Sequence, residues 1–309
     1  MKGERGFALV ITLIVTALLV ALLVEFVSEV YVDASHSHNF VASQQAGILA
    51  ESGIAGGIKI LAMSALVRHA QNQTASSLSE QWAQPFFYDA GVGTVAITIE
   101  EESGKLDLNA VTSPNGTTLA NFYGQTARLL LTTLQLSPNL YDTLSDWVGD
   151  GDSPRPNGAK NNYYSTLTPP YQTHNQKLNT FEELALVKGY TPQVLTLLRS
   201  CTTVYPLSGI SAPININTAP RELLLALDPK MTNRLVDEII AQRKVKPITS
   251  LNDLADLGNL VQLNGNVVFL GSIYRIHAEG KVGESVSVAE AVVTNVEQQK
   301  PTVLYWREY

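Results

Sequence analysis

Three aspartates near the middle of the chain have the spacing that most directly suggests chemistry. Asp146, Asp150 and Asp152 lie within seven residues, separated by glycines, in the segment SDWVGDGDSPRPNGAKNNYY (145–164), hereafter the aspartate loop. Hard divalent cations take several oxygen ligands at about 2.3–2.6 Å, and a flexible loop of this composition can converge its carboxylates. Calcium is therefore the candidate ion. A solvated turn is the alternative, because aspartate, glycine, asparagine and proline also favour turns.

Catalytic side chains do not form a familiar pattern in this sequence. The single cysteine, Cys201, has no histidine near it, and His36 and His38 are two residues apart, which places them on different faces of a helix. Neither a Gly-x-Ser-x-Gly motif nor a phosphate-binding loop occurs. We therefore expect no enzyme, with an aspartate-dependent glycosyl or phosphoryl transferase as the remaining catalytic alternative.

The overall composition is that of a folded, acidic protein. Its 309 residues are 45% hydrophobic and 16% charged, which allows a buried core. The net charge of −7 and the pI near 5.3 argue against a general nucleic-acid binder, which needs a basic surface to displace counterions.

The elements that position these residues begin with a predicted membrane anchor. Residues 7–24 carry no charge, and about 20 helical residues cover a bilayer core of about 30 Å. Lys2 and Arg5 precede this run and favour a cytoplasmic N-terminus, and no small-x-small cleavage site follows it. Residues 25–68 lack proline and continue the helical spacing, with bends expected at their glycines.

The start of the chain resembles the class III signal of type IV pilin-like proteins, in which a short charged leader ends in glycine before phenylalanine and an apolar helix. The resemblance implies that a prepilin peptidase cuts between Gly6 and Phe7 and that the new N-terminal Phe7 is methylated. Most pilin-like subunits carry glutamate at the fifth mature position, where it can pair with a neighbour's N-terminal ammonium in an apolar fibre core. Ile11 stands at this position. The missing acid fits a subunit at the fibre end, with no subunit above it.

The rest of the chain predicts two β segments with a helical block between them. Residues 69–90 are polar and are interpreted as a connection. Predicted strands cover 92–100, 266–270, 272–279 and 285–296, and predicted helices cover 117–136, 138–148, 180–188, 191–199, 218–227, 232–244 and 250–257. Thr180 with Glu183 predicts a capping box, and Thr218 predicts an N-cap. We expect the four strands to form one antiparallel sheet.

The second helical block, residues 214–263, also resembles helix-hairpin-helix DNA-binding modules. The turn LDPKMT at 227–232 has no glycine, however; Asp228 would repel phosphate, and Pro229 removes a backbone donor. Six basic residues balance six acidic ones in this block, so it lacks a basic footprint. A membrane-tethered helix-hairpin-helix protein of a competence or DNA-uptake system is therefore kept only as the alternative.

Taken over nearly the whole chain, the pattern resembles the minor pseudopilin K family of type II secretion systems, also called general secretion pathway protein K. Members of that family hold calcium in the corresponding loop, which makes Asp146, Asp150 and Asp152 the implied ligands. The loop keeps these family positions: Asp146, Trp147, Asp152, Gly158, Ala159, Tyr163 and Tyr164. It departs at Gly149, where an acid is usual and for which Asp150 would compensate by a one-residue shift. It also departs at Lys160, where glutamate is usual and an ammonium would repel a cation.

The resemblance implies an α+β fold in which a long N-terminal pilin-like helix packs on a small antiparallel sheet, with a large inserted α-helical, SAM-like region. The implied segments are a leader (1–6), a transmembrane half-helix (7–24), a periplasmic half-helix (25–68), a β domain (69–106 and 264–309), a first helical insert with the aspartate loop (107–206) and a second, SAM-like insert (207–263).

The implied function is that of a minor pseudopilin at the tip of a pseudopilus, where it initiates or caps assembly for protein export across the outer membrane. The implied partners are other minor pseudopilins of the tip complex, prepilin peptidase and the inner membrane, with no nucleic acid. The implied location is the bacterial inner membrane, crossed once, with most of the chain in the periplasm.

Overall fold

A computed structural model describes residues 4–111, 122–205, 213–257, 260–297 and 300–309. Within these residues the helices are α1 (Glu4–Ala70), α2 (Phe122–Thr133), α3 (Asn139–Val148), α4 (Asn161–Tyr164), α5 (Pro192–Arg199), α6 (Arg221–Ala226) and α7 (Asn233–Val245). The strands are β1 (Phe86–Asp89), β2 (Thr94–Glu101), β3 (Leu106–Asp107), β4 (Thr202–Thr203), β5 (Ile214–Asn215), β6 (Val267–Val268), β7 (Ile273–Val282), β8 (Ser285–Thr294) and β9 (Thr302–Glu308). The fold is mixed α+β, as the sequence predicts.

The first helix, α1, is one uninterrupted helix of 67 residues. At about 1.5 Å per residue it is about 100 Å long. Residues 7–41 are exposed along their whole length, whereas Ala42, Ala46, Ala50 and Ile54 are buried against the sheet. The predicted long N-terminal helix is thus confirmed, with an exposed apolar half and a half that covers a folded domain.

Glycines allow α1 to lie very close to the sheet. A Cβ atom added to Gly53 would lie 2.6 Å from the Cβ of Ala278, and one added to Gly57 would lie 2.6 Å from Cγ2 of Ile276. Gly280 of β7 faces the backbone of α1 in the same way from the sheet side. The sequence predicts bends at these α1 glycines, but they lie inside one continuous helix. Their role in the structure is to allow close packing.

The main sheet has five strands in the order β1-β2-β7-β8-β9, and every neighbouring pair is antiparallel. Strand β2 alternates as predicted, with Val95, Ile97 and Ile99 buried under α1. Strands β7 and β8 confirm the predicted strands at 272–279 and 285–296, and they pair antiparallel. The edge strands β1 and β9 lie where the sequence predicts no strand, because their largely exposed side chains give no alternation to read.

The predicted strand at 266–270 does not join this sheet, and that prediction is wrong. Only β6 is extended there, and it pairs in parallel with β5 of the second helical block. The Ile214 N–H donates to the Asn266 carbonyl at 3.0 Å, and the Ile216 N–H donates to the Val268 carbonyl at 3.1 Å. These bonds hold the segment against the helices instead of the sheet.

The helical region between β2 and β7 has its own apolar core. Helices α3, α5 and α7 confirm three predicted helices. Helix α2 confirms the helix predicted at 117–136 up to Thr133, and the beginning of that prediction lies outside the described residues. The predicted helices at 180–188 and 250–257 are 3-10 helices, Phe181–Leu186 and Leu251–Leu257. The capping box predicted at Thr180 is wrong, since its side chain makes no capping bond.

Candidate functional site

The N-terminal half of α1 carries the candidate membrane segment. In the described part of the chain, one helix is long and apolar enough to cross a membrane, and its most apolar window, near the N-terminus, is entirely exposed. The core helix of a soluble domain would be mostly buried. The segment therefore presents an apolar surface that the described parts of the chain leave uncovered.

The residues of the predicted leader cleavage site lie in the first turns of α1. Gly6 and Phe7 follow its first residue, Glu4, closely. Phe7 and Ile11 are four residues apart, share one face of the helix, and are 69% and 44% exposed. An apolar side chain thus stands one turn after Phe7, open to a neighbouring molecule.

Asp146 lies at the C-terminal end of α3 and is only 2% exposed. Its Oδ1 accepts a hydrogen bond from the Arg155 guanidinium at 2.8 Å, and its Oδ2 accepts one from the Arg155 backbone N–H at 2.9 Å. A Cβ atom added to Gly158 would lie 1.7 Å from Oδ2, so the loop backbone closes over the carboxylate. Both oxygens of Asp146 are therefore bonded to donors of the loop itself.

Lys160, near the end of the aspartate loop, is buried, with a residue exposure of 5%. Its Nζ donates to the Gly149 carbonyl at 2.5 Å and to Oδ1 of Asn175 at 3.0 Å. Gly149 caps the C-terminus of α3, where the partial negative charge of the helix end favours a cation. Burial lowers the pKa of the Lys160 ammonium, and the three aspartates of the loop oppose that shift.

The structure does not gather the three predicted ligands. Asp146 is buried and bonded to Arg155, whereas Asp150 and Asp152 are exposed. Across the described residues, no three or more histidine, cysteine, aspartate or glutamate side chains are arranged to hold a metal ion. As arranged here, the donors do not fit calcium. Calcium binding stays a prediction, and the geometry weighs against it.

Aromatic residues of the loop form the core beneath it. The rings of Trp147 and Tyr164 meet edge to face at 5.2 Å, and the Trp147 indole N–H donates to Glu183 at 2.8 Å. The Tyr164 hydroxyl accepts from the Lys188 N–H at 3.1 Å, and burial raises the pKa of Tyr164 to about 12. These side chains anchor the loop on the helical region.

A buried acid that sequence reasoning missed joins the sheet to the second helical block. Glu101, at the end of β2, accepts hydrogen bonds from Asn215 at 2.7 Å, Thr218 at 3.0 Å and Ser76 at 3.2 Å. Burial raises the pKa of Glu101 to about 7, and this effect outweighs the three hydrogen bonds, which lower the pKa. The sequence predicts Thr218 as the N-cap of α6, and that prediction is wrong. Pro220 is the N-cap residue, and the Thr218 hydroxyl donates to Glu101 instead. The sequence shows only a short acidic run here, which suggests an exposed turn.

A cleft of about 690 Å³ lies between the sheet and the helical region. Its long basic side chains are paired: Lys105 and Arg275 with Glu102 at 2.8 and 2.9 Å, and Arg199 with Glu182 at 3.0 Å. The cleft thus presents neutralised ion pairs, and no cation or anion site follows from it.

Several donors in and near the turn between α6 and α7 are bonded within the protein. The Lys230 N–H donates to the Asp228 carboxylate at 2.8 Å. Arg221 is paired with Asp237, and Arg243 donates to two backbone carbonyls at 2.8 Å. These three donors therefore bond within the protein, whereas a DNA-binding hairpin directs such groups at the backbone of the duplex.

Comparison with known proteins identifies the family. Two family models, both described as type II secretion system protein K, match residues 104–207 and 214–270, together more than half of the chain. The type II secretion system protein K of Pectobacterium carotovorum subsp. carotovorum is 27% identical over 219 residues, 66% of each protein. That of Klebsiella pneumoniae is 30% identical over 186 residues, 56% of each. A putative type II secretion system protein K of Escherichia coli strain K12 is 28% identical over 166 residues, so the matches span about half to two thirds of these relatives.

A solved structure shares the fold. One chain of the GspK–GspI–GspJ complex from the type 2 secretion system of enterotoxigenic Escherichia coli superposes with a TM-score of 0.69 at 20% identity, covering 89% of this chain and 99% of that one. The two family matches cover the helical region between β2 and β7, and the shared fold extends over most of the chain. The chain belongs to the type II secretion system protein K family.

Proposed function

We propose that this protein is a minor pseudopilin at the tip of a type II secretion pseudopilus, where it initiates or caps assembly for protein export across the outer membrane. Residues 7–24 anchor it in the bacterial inner membrane, and residue 25 onward lies in the periplasm. The observation that carries the proposal is the exposed apolar half of α1 with Ile11 in place of an acid, in a chain of this family.

Ile11 supports a place at the fibre end. After cleavage between Gly6 and Phe7, the ammonium of a subunit stacked above would enter an apolar core at the level of residue 11. An unpaired charge there costs several kcal/mol. Because Ile11 offers no carboxylate, this subunit accepts no neighbour above it, and growth continues below.

The proposed partners are other minor pseudopilins, which pack along the exposed half of α1, and the prepilin peptidase. The peptidase removes residues 1–6, and Phe7 is methylated after this cleavage. The structurally similar chain comes from a complex that contains GspI and GspJ, which supports partners of this kind. The family is that of a secretion-system component, and we propose neither catalysis nor nucleic-acid binding for this chain.

Intact-protein mass spectrometry of the membrane-extracted chain tests maturation. We expect a mature protein that begins with N-methylated Phe7. Gly6→Leu should retain the leader, whereas Gly3→Ala, inside the leader, should be processed normally. Retention of Met1 in the wild-type chain would exclude the pilin-like pathway.

Complementation tests the function itself. Deletion of the gene should abolish export of the cargo of the type II system, and the wild-type chain, but not Gly6→Leu, should restore it. Normal export in the deletion strain would contradict the proposal. Binding of duplex DNA with a steep salt dependence would instead support the DNA-uptake alternative.

A further inference from the structure

The aspartate loop contains two cationic groups of its own at the place where the family resemblance implies a metal ion. We propose that the Lys160 ammonium and the Arg155 guanidinium take the place of a divalent cation, so that the loop holds its structure without calcium. This inference rests on the geometry of the loop and is independent of the proposed function.

The two departures from the family pattern contact each other. Gly149 stands where an acid is usual and Lys160 where glutamate is usual, and the Lys160 Nζ donates to the Gly149 carbonyl at 2.5 Å. A glycine at 149 provides a backbone oxygen without adding a carboxylate, and the lysine provides a cation to meet it. The two positions thus form one lysine–carbonyl contact in place of two acidic ligands.

The Lys160 ammonium joins both sides of the loop, as a coordinated cation would. One of its bonds goes to Gly149 at the end of α3, and the other goes to Oδ1 of Asn175, beyond the loop, at 3.0 Å. The Asn175 N–H in turn donates to the Trp147 carbonyl at 2.9 Å. Backbone carbonyl and side-chain amide oxygens are ligand types that calcium uses, and here they accept from an ammonium.

Asp146 is committed to Arg155. Its two oxygens accept from the Arg155 guanidinium and backbone N–H at 2.8 and 2.9 Å, and Gly158 closes over the second oxygen. A calcium ion would have to displace these donors to reach the carboxylate. Bonds to an ionised donor are among the stronger hydrogen bonds, so their loss would oppose calcium binding.

The charge of the loop is nearly balanced without a metal. Three aspartates and two basic residues give residues 145–164 a net charge of −1. A divalent ion near Lys160 and Arg155 would meet two like charges in a partly buried setting, where screening by water is weak. Electrostatics therefore favours the internal cations over an added one.

Calcium titration of the full chain in detergent micelles tests the proposal directly. Isothermal calorimetry should show no saturable calcium binding. The thermal midpoint should change by less than about 1 °C between EDTA and millimolar calcium at fixed ionic strength, with magnesium as the control ion. Saturable binding accompanied by a calcium-dependent rise of the midpoint would overturn the proposal.

Two substitutions at residue 160 sharpen the test. Lys160→Met keeps the length but removes the ammonium, and should lower the midpoint by about 5 °C, without rescue by calcium. The matched control Lys244→Met, exposed on α7, should leave it unchanged. A wild-type midpoint in Lys160→Met would show that the ammonium does not hold the loop.

Lys160→Glu should create the calcium dependence that the wild-type chain lacks. With a fourth carboxylate, the loop should be destabilised in EDTA and recover with calcium. Failure of calcium to stabilise a folded Lys160→Glu chain would count against the idea that the ammonium occupies a cation's place. If this variant does not fold, calorimetry on the wild-type chain still decides.

Discussion

The helix–sheet layer, formed by residues 42–70 of α1 and the five-stranded sheet, is held together quite differently from the aspartate loop. The layer buries small and β-branched side chains such as Ala50, Ile54 and Ile276. The loop buries an aspartate bonded to Arg155 and a lysine bonded to oxygens. Close packing makes the layer sensitive to added volume, whereas the loop is sensitive to removed charge.

Gly280→Ala should have the largest effect, because it adds volume where the layer is tightest. A Cβ atom at this position would lie 2.2 Å from the Ala46 carbonyl oxygen and 2.7 Å from the Ala50 nitrogen. Overpacking costs about 1–3 kcal/mol and more against rigid backbone, so we expect a loss of about 3 kcal/mol or more. Urea denaturation of the full chain in micelles measures this loss.

The matched control lies in the loop. A Cβ atom at Gly151 would meet no other atom within 4 Å, and Gly151→Ala should change stability by less than about 0.5 kcal/mol. If Gly280→Ala and Gly151→Ala lowered the stability equally, the layer would not be more sensitive to added volume than the loop.

Glu101, which bonds the sheet to the second helical block, should make stability depend on pH. Its pKa is raised from 4.5 to about 7, so the folded chain keeps a proton that the unfolded chain releases. The stabilising contribution of protonated Glu101 to the free energy of unfolding is complete below pH 4.5. It is lost as the pH rises to about 7, and the loss is up to about 3 kcal/mol. Glu101→Gln cannot ionise and should lack this loss.

The test is to measure the unfolding free energies of the wild-type chain and of Glu101→Gln at several pH values between 4.5 and 7. The difference between the two profiles isolates the contribution of Glu101 from that of other titrating groups. Glu284→Gln, at the exposed turn between β7 and β8, is the control and should keep the wild-type profile. Parallel profiles for wild type and Glu101→Gln would mean that Glu101 ionises equally in both states.

The layer was more predictable from sequence than the loop, for a physical reason. Periodicity reports which face of an element is buried, so α1, β2, β7 and β8 are readable, whereas the exposed edge strands β1 and β9 are not. Composition shows that the loop has three acids and two bases but not which ones meet. Arg155 reaches Asp146 only through the turn between them.

The Glu101 cluster was missed for a related reason. Its donors, Ser76, Asn215 and Thr218, are 25 to 117 residues away in the chain. No local pattern encodes contacts of that range. The predictions for Gly6, Phe7 and Ile11 concern processing and assembly, and the fold alone does not test them.

Asp146→Asn should have an intermediate effect that depends on charge. It leaves the Arg155 guanidinium without its carboxylate in a mostly buried position, with Arg155 16% and Asp146 2% exposed at the side chain. Removing one partner of a fully buried pair costs about 3–5 kcal/mol, and partial exposure reduces this to about 2 kcal/mol. Chemical denaturation checks the value.

Asp150→Asn and Asp152→Asn are the matched controls, since both residues are exposed. Each should cost less than about 0.5 kcal/mol. If all three substitutions cost the same, and only in the presence of calcium, the aspartates act as a ligand set, and the contrast between a packed layer and a self-neutralised loop is wrong.

The smallest expected effect tests how far local sequence rules hold within the helical region. Thr232 caps α7, since its hydroxyl accepts from the Leu235 N–H at 3.2 Å, whereas the Thr180 side chain caps nothing at the start of the 3-10 helix 181–186. Thr232→Ala should cost about 1 kcal/mol, and Thr180→Ala less than about 0.5 kcal/mol. Thermal unfolding of the two variants side by side measures the difference. A larger cost at Thr180 would mean that its capping box forms in solution, and local sequence would then determine more of this region than its tertiary contacts indicate.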